Sequence, residues 1–177
     1  MSGKESVESW KKESEEVFFS ASIAEVYDYR TISKLRDLAK KTPRRRARLC
    51  VHDRSDRLFQ QMVIVHPKGA YVRPHLHKSR EETLHVLEGL ARLFRFDHQG
   101  KVIDSKLMGA YESRLPFLAM IPRGAFHCIQ IQSPDLIFVE STLGPFKKDD
   151  LLEAPWSPDP LACEQVAEYM ESLSTKI

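Results

Sequence analysis

The stretch PHLHKSREETLHVLEG, residues 74–89, sets His75 and His77 one residue apart, follows them with a charged turn, and opens an apolar run with Glu82 that closes on Gly89. Imidazole nitrogens and carboxylate oxygens are metal donors. Alternate side chains of a strand share a face, so His75 and His77 point together, and a turn of about four residues lets Glu82 enter from the returning strand. A fourth donor is offered by IPRGAFHCIQI, where Pro122 and Gly124 set a tight turn ahead of His127. Three imidazoles and one carboxylate suit a single divalent transition metal per chain, Fe, Zn, Mn, Ni or Co, and suit Cu(I) poorly. With open positions such an ion polarises a carbonyl or activates water or oxygen. A lone strand histidine is ordinarily a surface or core residue. The metal reading therefore rests on the combination with Glu82, Gly89 and the Pro-x-Gly-x-x-His turn.

Strand parity sends His85, three residues after Glu82, to the opposite face, and does the same for Cys128 beside His127, which reads as a buried inert thiol. His52, His66 and His98 fall at strand ends or turns, where exposure is expected. Arg73 and Tyr71 share the parity of His75, and with Arg48 and Gln61 they are the candidates for binding a substrate: the arginines for a carboxylate or phosphate, the others for a hydroxyl. Phe126, Ile129, Ile131, Phe138 and Met62 have the spacing of interior packing. No catalytic acid or base stands out in either histidine-bearing stretch.

The elements that must position these groups follow from the hydrophobic period. Over Glu25–Lys41 the apolar residues Ile32, Leu35, Leu38 and Ala39 predict a helix, with Asp28 or Thr31 as N-cap and Pro43 as a stop. Beyond it come about nine short runs of β-branched and aromatic residues, near 47–52, 58–65, 70–77, 82–89, 91–97, 101–108, 118–122, 125–131 and 135–141. Turn-forming HPKGA, DHQG and QSPD separate some of them. Short strands without intervening helices predict an all-β core, a jelly-roll barrel that limits exposed edges. The domain reading is a poorly ordered or loosely packed arm over 1–22, a helical lead-in over 23–45, a barrel with the metal site over 46–146, and a proline-rich connection over 147–177 ending in a helix packed outside the barrel.

A chain of 177 residues with 27 basic and 25 acidic side chains gives no electrostatic reason for a polyanionic partner. The basic stretch KKTPRRRAR, 40–48, lacks the aromatic platforms of a nucleic-acid site and reads as a solvated linker or a small-anion site. No run of about 18 apolar residues occurs, the first residues are polar and acidic, and three cysteines without CxxC spacing suggest reduced thiols. The expectation is a cytoplasmic protein with a small-molecule ligand, no nucleic acid and no membrane.

The residues Gly69, His75, His77, Glu82 and Gly89 match the first cupin motif, G-x5-H-x-H-x4-E-x6-G, and Pro122, Gly124 and His127 match the core of the second. The second motif opens with Gly and closes with Asn where this chain has Pro116 and Ile131. Over about residues 25–173, LRDLAKKTPRRRARLCVH, YVRPHLHKSREETLHVLEG, IPRGAFHCIQIQSPDLIFVESTLGPFKKDD and APWSP resemble the WbuC family of cupin-fold metalloproteins, which is linked to O-antigen gene clusters. The resemblance implies a double-stranded β-helix, a bound metal and, by genomic association, a carbohydrate-pathway context; the family's reaction is not established. Cupins associate commonly through their sheets, so the resemblance admits a homodimer.

The functional expectation is a mononuclear metal-binding enzyme acting on a small polar metabolite such as a sugar or nucleotide sugar, by isomerase, epimerase or dioxygenase chemistry. The alternative is a non-catalytic module that binds or senses a small ligand through the metal. A third reading is a metal-free cupin whose histidines act as acid–base groups.

Overall fold

The structure is a computed structural model that describes residues 10–175. Among the described residues, long alternating runs form two antiparallel-dominated sheets facing each other. The first has the order β1 (Trp10–Lys12), β2 (Val17–Ser20), β3 (Ala47–Cys50), β4 (Phe59–Pro67), β11 (Asp135–Leu143), β6 (Glu82–Glu88) and β9 (Leu118–Ile121). The second runs β12 (Leu151–Glu153), β5 (His75–His77), β10 (Phe126–Ile131), β7 (Leu90–Phe96) and β8 (Val102–Gly109). Strand neighbours that are distant in sequence, β4 with β11 and β5 with β10, are the signature of a jelly roll. The fold is the expected all-β barrel of cupin type with flanking helices.

The barrel interior joins Cys50, Met62, Ile64, Leu84, Val86 and Phe138 of the first sheet to Ala91, Leu93, Ile129 and Ile131 of the second. Helix α1 (Tyr29–Lys41) covers the outer face of the first sheet, setting Leu35 and Ala39 on Ala47, Leu49, Val65 and Ile137. It starts four residues later than its apolar period suggests. Asp28 has an extended backbone and its side chain accepts from the Arg30 amide, so the chain before it cannot be helical. Helix α2 (Cys163–Ser174) packs Leu173 against the outer face of the second sheet, on Phe94, Phe96, Phe126 and Cys128. Phe126 thus belongs to this outer layer, a correction to its interior assignment, and Cys128 is the expected buried thiol.

Three local expectations are corrected. The arm read over 1–22 is ordered from Trp10 onward: β1 and β2 form a hairpin, β2 runs parallel to β3, and Phe18 is buried against α1's layer. Glu16 fixes the hairpin by accepting from Arg44 (2.6 Å) and Arg46 (2.8 Å), a contact across 28 and 30 residues that the polar composition conceals. Residues 1–9 lie outside the described residues. The run 70–77 forms a strand only at its end, because Pro74 has no amide and the chain before it turns to the C-terminal segment, where Ala154 donates to Pro74 O. That segment supplies β12, a strand the sequence did not announce. No described helix is long and apolar enough to cross a membrane.

Candidate metal centre

His75 and His127 are directly paired across β5 and β10, which puts both rings on the inner face with centroids 4.5 Å apart. Gly124 holds the preceding turn with φ +76, and its amide donates to His77 O at 2.7 Å, locking the His127 hairpin to β5. Glu82 enters from the opposing sheet as the first residue of β6. Donor atoms of His75, Glu82 and His127 all lie within 4.8 Å of one another. His127 Nε2 stands 2.6 Å from Glu82 Oε1, and His77 Nε2 stands 3.1 Å from Glu82 Oε2, so His77 adjoins the cluster through the carboxylate. The strand parity of all four residues is as the sequence implied. Gly89 closes β6 with φ +88, where a Cβ would collide with Asp135 O.

The tautomers are set from outside the cluster. His75 Nδ1 lies 2.8 Å from Arg73 O and His127 Nδ1 lies 3.0 Å from Ala125 O. A carbonyl only accepts, so each Nδ1 carries a proton and each Nε2 is left facing the cluster, donating to Glu82 in His127 while it is protonated and offering a lone pair to a metal once it is not. His77 Nδ1 is 3.3 Å from Asp150 Oδ2, and Arg80 Nε is 3.0 Å from the same oxygen. Arg80 Nε also lies 3.4 Å from His77 Nδ1. Arg80 Nε donates to His77 Nδ1, and Asp150 Oδ2 stands at ion-pair distance from both groups without a hydrogen bond of its own. Imidazoles whose Nδ1 is held by a carbonyl and whose Nε2 faces a carboxylate, as in His75 and His127 beside Glu82, are what a divalent metal takes, and the donor set therefore fits one.

Burial works to raise the Glu82 pKa, but hydrogen bonds from His127 and His77 hold it far below the usual carboxylate range. Burial opposes charge on His127 as well, and the Glu82 contact overrides it, shifting that pKa up. His75 is pushed down to about 4, first by burial and then by His127. Burial also disfavours ionised Asp150, yet the Ser79 hydroxyl and amide, with Arg80 and His77, keep its pKa below the ordinary value. Asp150→Asn, which removes the negative charge beside His77 Nδ1 and Arg80, is expected to weaken metal binding by about 10–100-fold, the usual cost of losing an outer partner of a ligand. Competition against a chromogenic chelator measures it, and an unchanged affinity would remove Asp150 from the site.

Two further groups face the lumen. Glu140 of β11 shares the inward parity of Phe138 and pairs with Met62 and Leu84, both core residues. Burial first, and then the negative charge of Glu82, push its pKa up to about 7. Arg48 of β3 has the same inward parity as Cys50, and its buried Nε has no hydrogen-bond partner. Arg48 was a sequence candidate; Glu140 and Asp150 were not. A signal for Glu140 existed, since a carboxylate two residues beyond core-facing Phe138 occupies an interior position.

The other candidates separate. Gln61 is corrected: it pairs with Ser141, donates to its Oγ at 3.0 Å, and lies on the face opposite Met62. Tyr71 and Arg73 line a cavity of about 590 Å³ together with His75, but their polar ends serve the C-terminal segment. Tyr71 OH donates to Pro158 O, and Arg73 donates to Glu153 and to Ser157. His85 is turned from the cluster towards Phe117, and His98 is exposed, both as expected. His52 and His66 are buried rather than exposed, because Phe19 covers the first and Phe138 the second.

Residues 27–108 match a family model described as a domain of unknown function, DUF6016. A search of curated proteins gives no match. Among solved structures, the chain is similar to a variant of Bacillus subtilis oxalate decarboxylase, with 20% identity, a TM-score of 0.48, and coverage of 61% of this chain and 27% of that one. It is also similar to the capsular polysaccharide assembling protein CapF of Staphylococcus aureus, at 19% identity and TM-score 0.45, covering 55% of this chain and 26% of that one. The 11S globulin procruciferin of Brassica napus aligns at 16% identity and TM-score 0.42, over 49% of this chain and 21% of that one. The chain thus spans about a quarter of the length of these proteins. The strand order and facing sheets are those of an all-β barrel of cupin type, and a buried histidine–carboxylate cluster that could hold a metal lies inside it.

Proposed function

We propose that the protein is a mononuclear metal-dependent enzyme acting on a small polar metabolite, with His75, His77, Glu82 and His127 as ligands. The observation that carries the reading is the convergence of His75, Glu82 and His127 within 4.8 Å of one another, with the Nδ1 of both histidines held by backbone carbonyls and His77 Nε2 beside the same carboxylate. A bound divalent ion supplies charge stabilisation at a carbonyl or hydroxyl oxygen, or a centre for oxygen chemistry. The chain's own residues do the rest. Arg48 offers a fixed cation to a substrate oxyanion, and Glu140, the buried carboxyl in the lumen, takes and returns a proton. The WbuC resemblance supports a carbohydrate-pathway context and hence a sugar or nucleotide sugar as substrate, with isomerase, epimerase or dioxygenase chemistry as the reaction classes.

The test is metal analysis of freshly purified full-length protein, followed by sugar, nucleotide-sugar and keto-acid panels with and without oxygen. Stoichiometric metal is expected, with turnover that falls by about 10²–10⁴-fold in Glu140→Gln while the metal stays bound. Protein without metal overturns the assignment. Metal-loaded protein that binds panel members competitively but converts none is instead a non-catalytic small-ligand binding or sensing module.

A further inference from the structure

The 590 Å³ cavity is bounded on one side by the loop that follows α1 and on the other by the start of α2. Arg44, Arg45, Arg46, Lys68 and Arg73 line it, and His75 is part of the same wall. This is the size of an ordinary small-molecule site. Five cations meet two carboxylates, since Glu16 accepts from Arg44 and Arg46 and Glu153 from Arg73. Among the described residues, Arg45 and Lys68 have no side-chain ion pair or hydrogen bond, and both are exposed. Lys40 and Lys41 have an ordinary reason to be basic, as they sit in the last turn of α1, where the helix dipole favours cations. Arg45 and Lys68 lie outside that turn.

The loop is also held in shape. The buried Thr42 hydroxyl donates to Ala39 O (3.1 Å) and accepts from the Arg46 amide (2.9 Å), while Arg45, at φ +52, occupies a left-handed conformation that non-glycine residues seldom adopt. Lys68 arrives from the β4 end, its backbone amide fixed on Pro134 O at 2.7 Å. Both free cations are therefore carried on constrained backbone beside the cavity that reaches a candidate metal ligand.

We infer that the cavity binds a phosphorylated small molecule, with its phosphate held by Arg45 and Lys68 and its remaining polar body directed towards His75. The inference rests on the metal-centre reading only for what happens at His75. The cationic excess selects a multiply charged oxyanion over a neutral sugar, and a phosphate dianion meets that better than a single carboxylate. Arg73, braced by Ser157 and Glu153, forms the wall between the two ends.

Titration calorimetry of the metal-loaded full chain tests this with glucose 6-phosphate, gluconate, glucose and inorganic phosphate as probes. Glucose 6-phosphate is expected to bind at least about ten-fold tighter than glucose, and to lose about ten-fold or more in the Arg45→Ser/Lys68→Ser variant and as salt is raised. Metal content is expected to be unchanged by the substitutions. Lys68→Glu is a second variant, expected to lower phosphate binding further on an exposed site that leaves folding intact. Equal binding of glucose and its phosphate, no binding of either, or phosphate binding untouched by both variants overturns the inference; the last outcome places the anion on the metal instead. A preference for gluconate assigns the site to carboxylates and overturns the phosphate assignment. Measuring the metal-free protein separates the two readings, since the phosphate arm survives there if only the metal assignment is wrong.

Discussion

Glu82→Ala is expected to abolish stoichiometric metal binding, lowering affinity by at least about a hundred-fold, beyond the usual loss for an outer partner. Glu82 is the single acidic member of the cluster, and it is reached by both His127 Nε2 and His77 Nε2. Without it, a divalent cation would be held by neutral imidazoles alone in a buried site, where an uncompensated charge is costly. The effect is visible in stability as well. A metal at about a thousand times its dissociation constant stabilises the native state by about 4 kcal/mol, so wild-type melting should rise markedly with added metal while that of Glu82→Ala stays flat. Circular dichroism confirms that the variant is folded, and Glu82→Gln controls for volume. Retention of one equivalent of metal by folded Glu82→Ala would sink the four-ligand assignment.

Much of this centre was legible because its geometry is local. His75, His77 and Glu82 lie on two strands joined by a short turn, and the period of two fixes their faces. His127 was found through the turn chemistry of Pro122 and Gly124. The residues that support the ligands were not legible, because each comes from far along the chain: Asp150 meets His77 through the β12 segment, and Glu140 reaches the lumen on β11. Gln61 was misplaced for another reason. Strand β4 is covered by α1 on one face and by the barrel on the other, so FQQMVIV shows little alternation from which to read parity. Tyr71 and Arg73 have the expected neighbour in His75, but the sequence did not show that residues 153–158 would engage their polar ends. The N-terminal hairpin was hidden by composition: its anchor, Glu16, is an acid whose two arginine partners lie beyond α1.

Acid should destabilise the protein steeply, with His66 as a main cause. His66 lies on the inner face of β4, edge-on to Phe138, with its Nδ1 unpaired and the residue 6% exposed. Burial, and then the cations Arg46 and Arg48, push its pKa from 6.5 down to about 3, with Glu16 opposing. The unfolded chain therefore takes a proton on this ring below about pH 6.5 that the folded protein refuses until about pH 3. Stability from His66 is complete above pH 6.5 and falls as pH drops, by about 1.4 kcal/mol per unit, reaching a loss of about 2–3 kcal/mol near pH 4.5. His66→Leu removes the titration while keeping an apolar neighbour for Phe138. Its packing cost is the same at every pH, so only the change with pH is diagnostic. Urea unfolding of metal-free protein at about pH 7.5 and about pH 4.5 should show the wild type losing about 2–3 kcal/mol more than the variant over that interval. His75, whose pKa is also depressed, contributes in the same direction, but it is present in both proteins and cancels in the difference. Equal losses in the two proteins would mean that His66 is protonated as readily in the fold as outside it, and that the aromatic and cationic surroundings of β4 do not exclude the proton.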